Sequence, residues 1–462
     1  MDKTNTMGIK SMSVKERIVL AHDTSDEEVL CTLAKDEDEV VRQYVAWNKN
    51  TSVETLALLA KDENEDVRQA VAENENTPIE ILTVLAEDKY WGVRHHVAWN
   101  KNTPKKVLVT LAKDENWLVR DAVTCNKNTP VEALAILAND ENDNIREAVA
   151  RNENTPVEAL VMLAQDEHRL VREQVALNES TTADVLAMLA KDVDDRVHWF
   201  VAGNKNTSVE TLVMLASDKE WWVQSTVAKN ENTPKKALAM LAKDEDTGIR
   251  CAVVENKNTP VELLAVLAQD EDFWVRWAVA LNKNTSVEVL AVLAKDEVYE
   301  VRTAVAANKN TSADTLDILA KDEDADVRSE VVTNENTSVD VLAMFAQDND
   351  KYIRAAVASN PNASNESLAI LAKDENSYVR RNVAGNRNTS VETLVTLSKD
   401  NDEWVSKRAE DALRERNKNL GKKKILTLDV TTLPYDVRMA IAENKESPLE
   451  LLEVLAYDSD GD

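Results

Sequence analysis

Five histidines, three cysteines and 84 carboxylates are the side chains that could run hydrolytic, redox or metal chemistry, and their spacing supports none of it. His95 and His96 are adjacent, which on a helix points them in different directions, and no HExxH or Cys–His set accompanies these two or His22, His168 and His198. Cys31, Cys125 and Cys251 lie too far apart for a CxxC arrangement, so they supply no metal-ligand cluster and fit a reducing compartment. Neither a glycine-rich phosphate loop nor a G-x-S-x-G elbow occurs. The expectation is a protein that is not an enzyme and needs no metal or cofactor, its carboxylates serving caps, ion pairs and solubility. Aromatic rings are the other group able to make strong contacts. Trp47, Trp99, Trp199, Trp222, Trp274, Trp277 and Trp404, with Tyr352 and Tyr378, are spaced in a way that only the underlying repeat explains.

A Val-Arg pair, with Ile for Val at three places, ends at Arg42, Arg68, Arg94, Arg120, Arg146, Arg172, Arg250, Arg276, Arg302, Arg328, Arg354 and Arg380. Every gap is 26 residues or a multiple of it, and His198, Gln224 and Ser406 fill the missing places, giving 15 positions without one insertion. Phase this strict belongs to a stacked array in which each unit meets its neighbour in the same geometry. In the unit from Asn50 to Asn74, Thr51 and Glu54 read as a capping box, and helix A runs to about Ala60 with Val53, Leu56, Leu59 and Ala60 on one face. Sister units place Pro78 or Pro130 in the first turn, where a missing N–H costs nothing. Lys61 to Glu65 closes the turn, and a shorter helix B, α or 3-10, covers about Asp66 to Glu73 with Val67, Ala70 and Val71 buried.

Two ladders accompany the helices. Asn74 and Asn76 recur as Asn100 and Asn102, then Asn126 and Asn128, residues that tolerate the left-handed conformation ending a helix and can bond across a tight connection. Asp62 precedes Arg68 by six residues, as Asp114 precedes Arg120, so carboxylate and guanidinium should meet within one unit or between neighbours. These residues read as structure: near-invariant positions carry little specificity.

The block Asn126 to Ala150, with Asn-Lys-Asn-Thr-Pro-Val-Glu, Leu-Ala-Asn-Asp-Glu and Ile-Arg-Glu-Ala-Val-Ala, resembles the leucine-rich repeat variant (LRV) family. It also looks like a shortened HEAT repeat. The likeness covers about Glu16 to Glu410, with a partial return near the C-terminus. It implies an all-α, right-handed α-solenoid of 26-residue two-helix repeats, an α-helix alternating with a shorter 3-10 helix. Some relatives of that kind carry an iron–sulfur centre on an N-terminal cysteine cluster; with only Cys31 near the start here, that cluster should be absent. HEAT-like arrays commonly act as protein-binding scaffolds, which the resemblance implies and fold alone does not fix.

Composition sets the remaining bounds. An ordinary chain of 462 residues would divide into two to four domains, a count the repetition overrides. The formal charge of -29 argues against general affinity for nucleic acid or anionic membrane and would steer a basic partner inward. No run approaches the roughly 18 apolar residues of a membrane span, and the polar stretch Met1 to Lys15 is no signal peptide, so cytoplasm is the default. The expected divisions are an N-terminal segment 1–15, a solenoid 16–410, a basic, phase-breaking segment 411–436 and a partial capping repeat 437–462. The first unit is degenerate and lacks the Arg register, while Arg414 to Lys424 reads as a solvated loop or longer cap helix, with a phosphate or partner contact as the alternative.

Relative to the register arginine, positions two before, one after and five after share one face of helix B by their spacing of three and four. Trp47, Trp99, Trp199, Trp222, Trp274, Trp277 and Trp404, with Tyr352 and Tyr378, occupy it, and Trp91, Trp117, Trp221 and Phe273 border it. One reading is an aromatic, acid-bordered strip that receives a protein or peptide, basic or amphipathic; the other is that the rings lie flat and extend the packing. Self-assembly of arrays, or a nucleic-acid track built from outlying Arg and Lys, are the competing functions. Units this short cannot stand alone, so several neighbours should lose helix together in a denaturant or thermal titration followed by circular dichroism. Separate calorimetric transitions typical of independent globular domains would contradict the repeat reading.

Overall fold

The computed structural model describes residues 8–419 apart from residue 10, with side chains as far as 416. Most of the 1–15 segment, the basic stretch beyond 419 and the partial repeat at 437–462 lie outside the described residues. Those described form an all-α solenoid of 31 helices from Val14–Asp23 to Glu403–Asn419, alternating helix A and helix B with no strand among them. The chain divides into two compact units, Met1–Leu238 and Ala239–Asp462.

The repeat is legible in one example from each kind of helix. Helix A, Val53–Leu59, spans seven residues, and helix B, Glu65–Glu73, spans nine, so B is the longer of the two and is α-helical, as are its sisters. The 3-10 alternation implied by the family resemblance is absent among the described residues. Helix B has room for a full α ladder because Asn64 caps its start by accepting the Asp66 N–H, and the Asn74 N–H closes its end on the carbonyls of Ala70 and Val71. The tighter pattern survives only where helix A ends, as the N–H groups of Lys61 and Asp62 reach back three residues to Leu58 and Leu59.

The expected Thr51–Glu54 box shifts by one residue. Ser52 is the cap and its hydroxyl accepts the Thr55 N–H, while the buried Thr51 hydroxyl donates to the Val45 carbonyl at 2.6 Å and ties the turn to the helix before it. Prolines 78, 104 and 130 stand at this same cap position, outside the helix, with the extended backbone a cap requires and no side-chain bond. A complete capping box occurs at Ser13 and Glu16, where each side chain answers the other's backbone N–H.

Leu56 and Leu59 of helix A and Val67, Ala70, Val71 and Ala72 of helix B are buried and recur in the same places along each compact unit. Burying one such leucine stabilises by about 2 kcal/mol, and small alanines let successive B helices pack closely. Within each compact unit the B helices make the denser row, packed most extensively on neighbouring B helices.

Between neighbouring units run two sets of bonds. Arg68, only 6% exposed, donates from Nε and Nη2 to both oxygens of Asp88 at 2.6 and 3.0 Å, and from Nη1 to the carbonyls of Asp62 and Glu63. The carboxylate partner thus belongs to the following unit, while the nearer aspartate contributes its backbone; the Asp62 carboxylate is held by Arg42. The same geometry joins Arg120 to Asp140 and Arg276 to Asp296. In the second set, Asn100 donates to the carbonyls of Ala72 and Asn74 in the preceding unit and accepts the Asn102 N–H, and Asn102 reaches the Glu75 carbonyl. Asn126 and Asn128 repeat this one unit on. These asparagines do not use the left-handed conformation expected of them: Asn100 has φ −66° and ψ 126°, an extended backbone that lets its amide face backward along the stack.

The first unit is less degenerate than its sequence suggests. Arg17, one residue past the register, forms an ion pair with Asp36, donating from Nη2 at 3.0 Å while its Nε makes no hydrogen bond, and so starts the ladder. One rung is thinner than the rest, since Arg328 bonds to the carbonyls of Asp322 and Glu323 without a carboxylate. The phase break follows Ser406, whose hydroxyl turns to the Glu403 carbonyl, and the last described helix runs on through the beginning of the basic segment.

Arg120→Ala strands a carboxylate, Asp140, whose side chain is 5% exposed, and should cost about 3–5 kcal/mol. Arg328→Ala should cost clearly less, and urea titrations of the two variants side by side check the difference. Burial alone would raise the Asp62, Asp88, Asp192 and Asp296 carboxyls, but arginine and backbone N–H bonds outweigh it and hold all four below the usual carboxylate value. A carboxyl with a depressed folded pKa contributes stability that is fully present above its unfolded value, about 3.9, and lost as pH falls through the folded one. The urea midpoint should therefore hold steady near neutrality and drop steeply below about pH 4.

Candidate functional site

The outer face of helix B is positioned by the ladder, because the arginine and the buried valines fix which side of the helix meets the stack. Rings are not needed for that packing. Among the described residues Phe345 is the one aromatic side chain in the buried core, and no Trp or Tyr is buried. Trp404 is 67% exposed, Tyr352 65% and Trp99 59%, and Trp47, Trp199, Trp222, Trp274 and Tyr378 are also exposed. Trp277 is half-buried, edge-on to Trp274 with ring centres 5.7 Å apart.

Ring contacts are mostly local to one helix, so the aromatics form clusters. In the first compact unit Trp91, His95 and Trp99 succeed one another along a helix, with His95 6.4 Å from each tryptophan. Burial and the neighbouring His96 lower the His95 pKa against the opposing charge of Asp121, whose own carboxyl burial raises. Tyr44 and Trp47 pair edge-on, and the Trp47 indole donates to Glu73 of the next unit at 2.7 Å. Trp199 packs on Phe200 and donates to the Thr226 hydroxyl at 2.9 Å.

Shallow grooves open beside these rings. One of about 970 Å³ is lined by Trp47, Tyr44, Glu73 and Glu75. Another of about 410 Å³ lies over Gly203, between Trp199, Phe200, Leu177 and Glu179. In the second compact unit a groove of about 490 Å³ lies over Gly385 and is lined by Tyr378, Arg381 and Arg408. Gly203 and Gly385 both stand five residues after the register position, where other units carry a larger side chain, and the gap they leave is the groove. With only seven glycines in the chain, two at this one position were a signal available in the sequence. The Trp47 groove is lined by Asp23, Glu73 and Glu75 together with Lys49, and the Trp199 groove by the ion pair of Glu179 and Lys205, while the guanidinium of Arg381 lies 5.5 Å over the Trp404 ring.

The histidines occupy separate places. His22 contacts Asp23, His96 its own helix at the Gly92 carbonyl, and His168 lies 3.3 Å from Asp143. His198 takes the place of the ladder arginine, 2.8 Å from Asp218, and with Asp195 these residues bring one ligand atom each to within 4.8 Å of one another. Sequence reading missed this trio because Asp218 is supplied by the next unit. All three cysteines are free. No described helix is long and apolar enough to cross a membrane.

Residues 143–168 and 247–272 each match the leucine rich repeat variant family, and each match covers one whole period including a ladder arginine and the aspartate that follows it by twenty residues. The chain is a helical repeat protein related to that family. Among solved structures, one described as a leucine-rich repeat variant with a novel repetitive protein structural motif is 26% identical, over 48% of this chain and 88% of that one, with a TM-score of 0.38. Kap121p bound to Ste12p is 12% identical over 97% of this chain and 55% of that one, with a TM-score of 0.34. A Kap95p complex with RanGDP is 11% identical over 97% and 66%, with a TM-score of 0.32. This chain spans about two thirds or less of the length of those last two. No curated protein matches it.

Proposed function

We propose that the chain is a non-enzymatic protein-interaction scaffold whose helix B face receives a peptide or protein surface that is basic or amphipathic. The observation that carries this reading is the exposure of tryptophan and tyrosine at register positions of a stack whose core is built from Leu, Val and Ala. An exposed indole is an amphipathic anchor: its ring buries large apolar area in a partner and its N–H takes a polar contact, which is why such residues dominate interface energies. The grooves beside Trp47 and Trp199 add depth for a partner side chain, and Asp23 and Glu73 at the first of them, with the net charge of -29, favour one carrying positive charge. At Trp404 the arginine border favours a different local complement, so recognition changes along the array. A soluble intracellular setting follows from the same reading.

A lysine-rich amphipathic helical peptide is a suitable probe for fluorescence titration. Trp199→Ala with Trp222→Ala in the first compact unit, and separately Trp274→Ala with Trp277→Ala in the second, should retain helical circular dichroism. At least one pair should weaken binding about tenfold, or ~1.4 kcal/mol, and added salt should weaken it further. Unchanged affinity in both folded variants, or preference for an acidic peptide or single-stranded DNA, would sink the proposal.

A further inference from the structure

The ladder position at 198 differs from its neighbours in a way that hydrogen bonding alone does not resolve. At most register positions a guanidinium arrives with its own positive charge and spans the gap between turn carbonyl and carboxylate. Here an imidazole spans it. His198 Nε2 lies 2.9 Å from the Asp192 carbonyl oxygen, which can only accept, so Nε2 carries a hydrogen. Nδ1 then faces Oδ2 of Asp218 at 2.8 Å. The other oxygen of that carboxylate already accepts the Glu220 N–H. A bare Nδ1 lone pair against an anion at this distance is repulsive, so a cation must sit at Nδ1, and it is either a proton or a metal ion.

Asp195 brings a second carboxylate to this place. It lies three residues before His198 on the first turn of helix Asp195–Gly203, which places the two side chains on one face. Its carboxylate joins Nδ1 and the Asp218 oxygen in a group whose ligand atoms lie within 4.8 Å of one another. A proton shared by Nδ1 and Asp218 leaves Asp195 to its ion pair with the exposed Lys219, whereas a divalent ion draws on both carboxylates together. We propose that His198, Asp218 and Asp195 form a binding site for a divalent transition-metal ion of the zinc class, placed in the ladder where most units carry arginine. The chemistry of the donors fits: one imidazole nitrogen and two carboxylate oxygens, with the outer N–H fixed by a backbone carbonyl, as is usual for a ligating histidine. His198 and Asp218 are mostly buried, with side chains 14% and 8% exposed, so the inner half of the site is already built. The ammonium of Lys219, 3.1 Å from Asp195 and on an exposed side chain, covers the outer half and must swing into solvent as the ion enters. The ion takes the place of any proton on Nδ1, which leaves to the buffer. Asp192 does not compete for the ion through its carboxylate, because Arg172 holds both of its oxygens.

The test uses the full chain, stripped of metal by a chelator and titrated calorimetrically with Zn²⁺ near neutral pH. His198→Arg restores the ladder residue of the other units and keeps all three cysteines, so it separates this site from any thiol binding. Wild type should bind one more equivalent of Zn²⁺ than His198→Arg, and only wild type should gain in unfolding temperature when Zn²⁺ is added. Asp195→Asn, which leaves the His198–Asp218 contact in place, should weaken that binding about 10- to 100-fold without lowering the metal-free unfolding temperature. Equal stoichiometry in wild type and His198→Arg, or unaltered affinity in Asp195→Asn, would overturn the proposal and leave His198 as a proton-filled rung.

Discussion

Nearly every ladder guanidinium, as at Arg68, is divided between two repeats: one nitrogen binds the turn carbonyls of its own unit, and the other two bind the carboxylate of the next. Taking these charges out of water costs several kcal/mol, and their attraction repays it only when the geometry is good. The parallel bidentate contact, together with the Asx bond from the same aspartate to the N–H two residues on, supplies that geometry. What the arrangement secures is register. A guanidinium displaced along the stack would lose the carboxylate and both carbonyls at once. Strict geometry of this kind fits 15 register positions in unbroken phase.

With register held by Arg, Asp, Asn and Thr, and cohesion supplied by Leu, Val and Ala, the solvent face of helix B carries only scattered contacts between repeats, such as Trp47 to Glu73 and Trp199 to Thr226. Its side chains vary from unit to unit: glutamate at 73, tryptophan at 99, glycine at 203 and 385. The clusters of rings and the hollows beside them are therefore local inventions on a common frame. Their neighbours change character along the chain, from Glu73 at Trp47 to Arg381 at Trp404.

The period, the two-helix unit and the buried face were readable because they depend on residues close in sequence and on strict recurrence. What was hidden required the neighbouring unit. Asp62 sits six residues from Arg68 and twenty from Arg42, and nothing in the spacing says that the longer separation wins; it does because the turn presents a carbonyl, not a side chain, to the nearer arginine. Thr51 looked like a cap because its hydroxyl is the right type, yet it is spent on the Val45 carbonyl and Ser52 caps instead. Arg17 escaped notice by standing one place out of phase. The extended backbone of Asn100 was missed for a similar reason, since its amide bonds lie in the preceding unit.

Every bond that Asn100 sends backward ends on a backbone carbonyl, an acceptor that any residue supplies. On this side of the joint a unit asks of the one before it only a correctly placed main chain, to which the ladder adds a single arginine. Whole repeats are in this sense exchangeable cassettes: duplicating, deleting or reordering one leaves most of the joints chemically unchanged while rearranging the outward faces. The same backbone bonding that makes the stack rigid gives its lineage a cheap way to alter reach and recognition together, one cassette at a time.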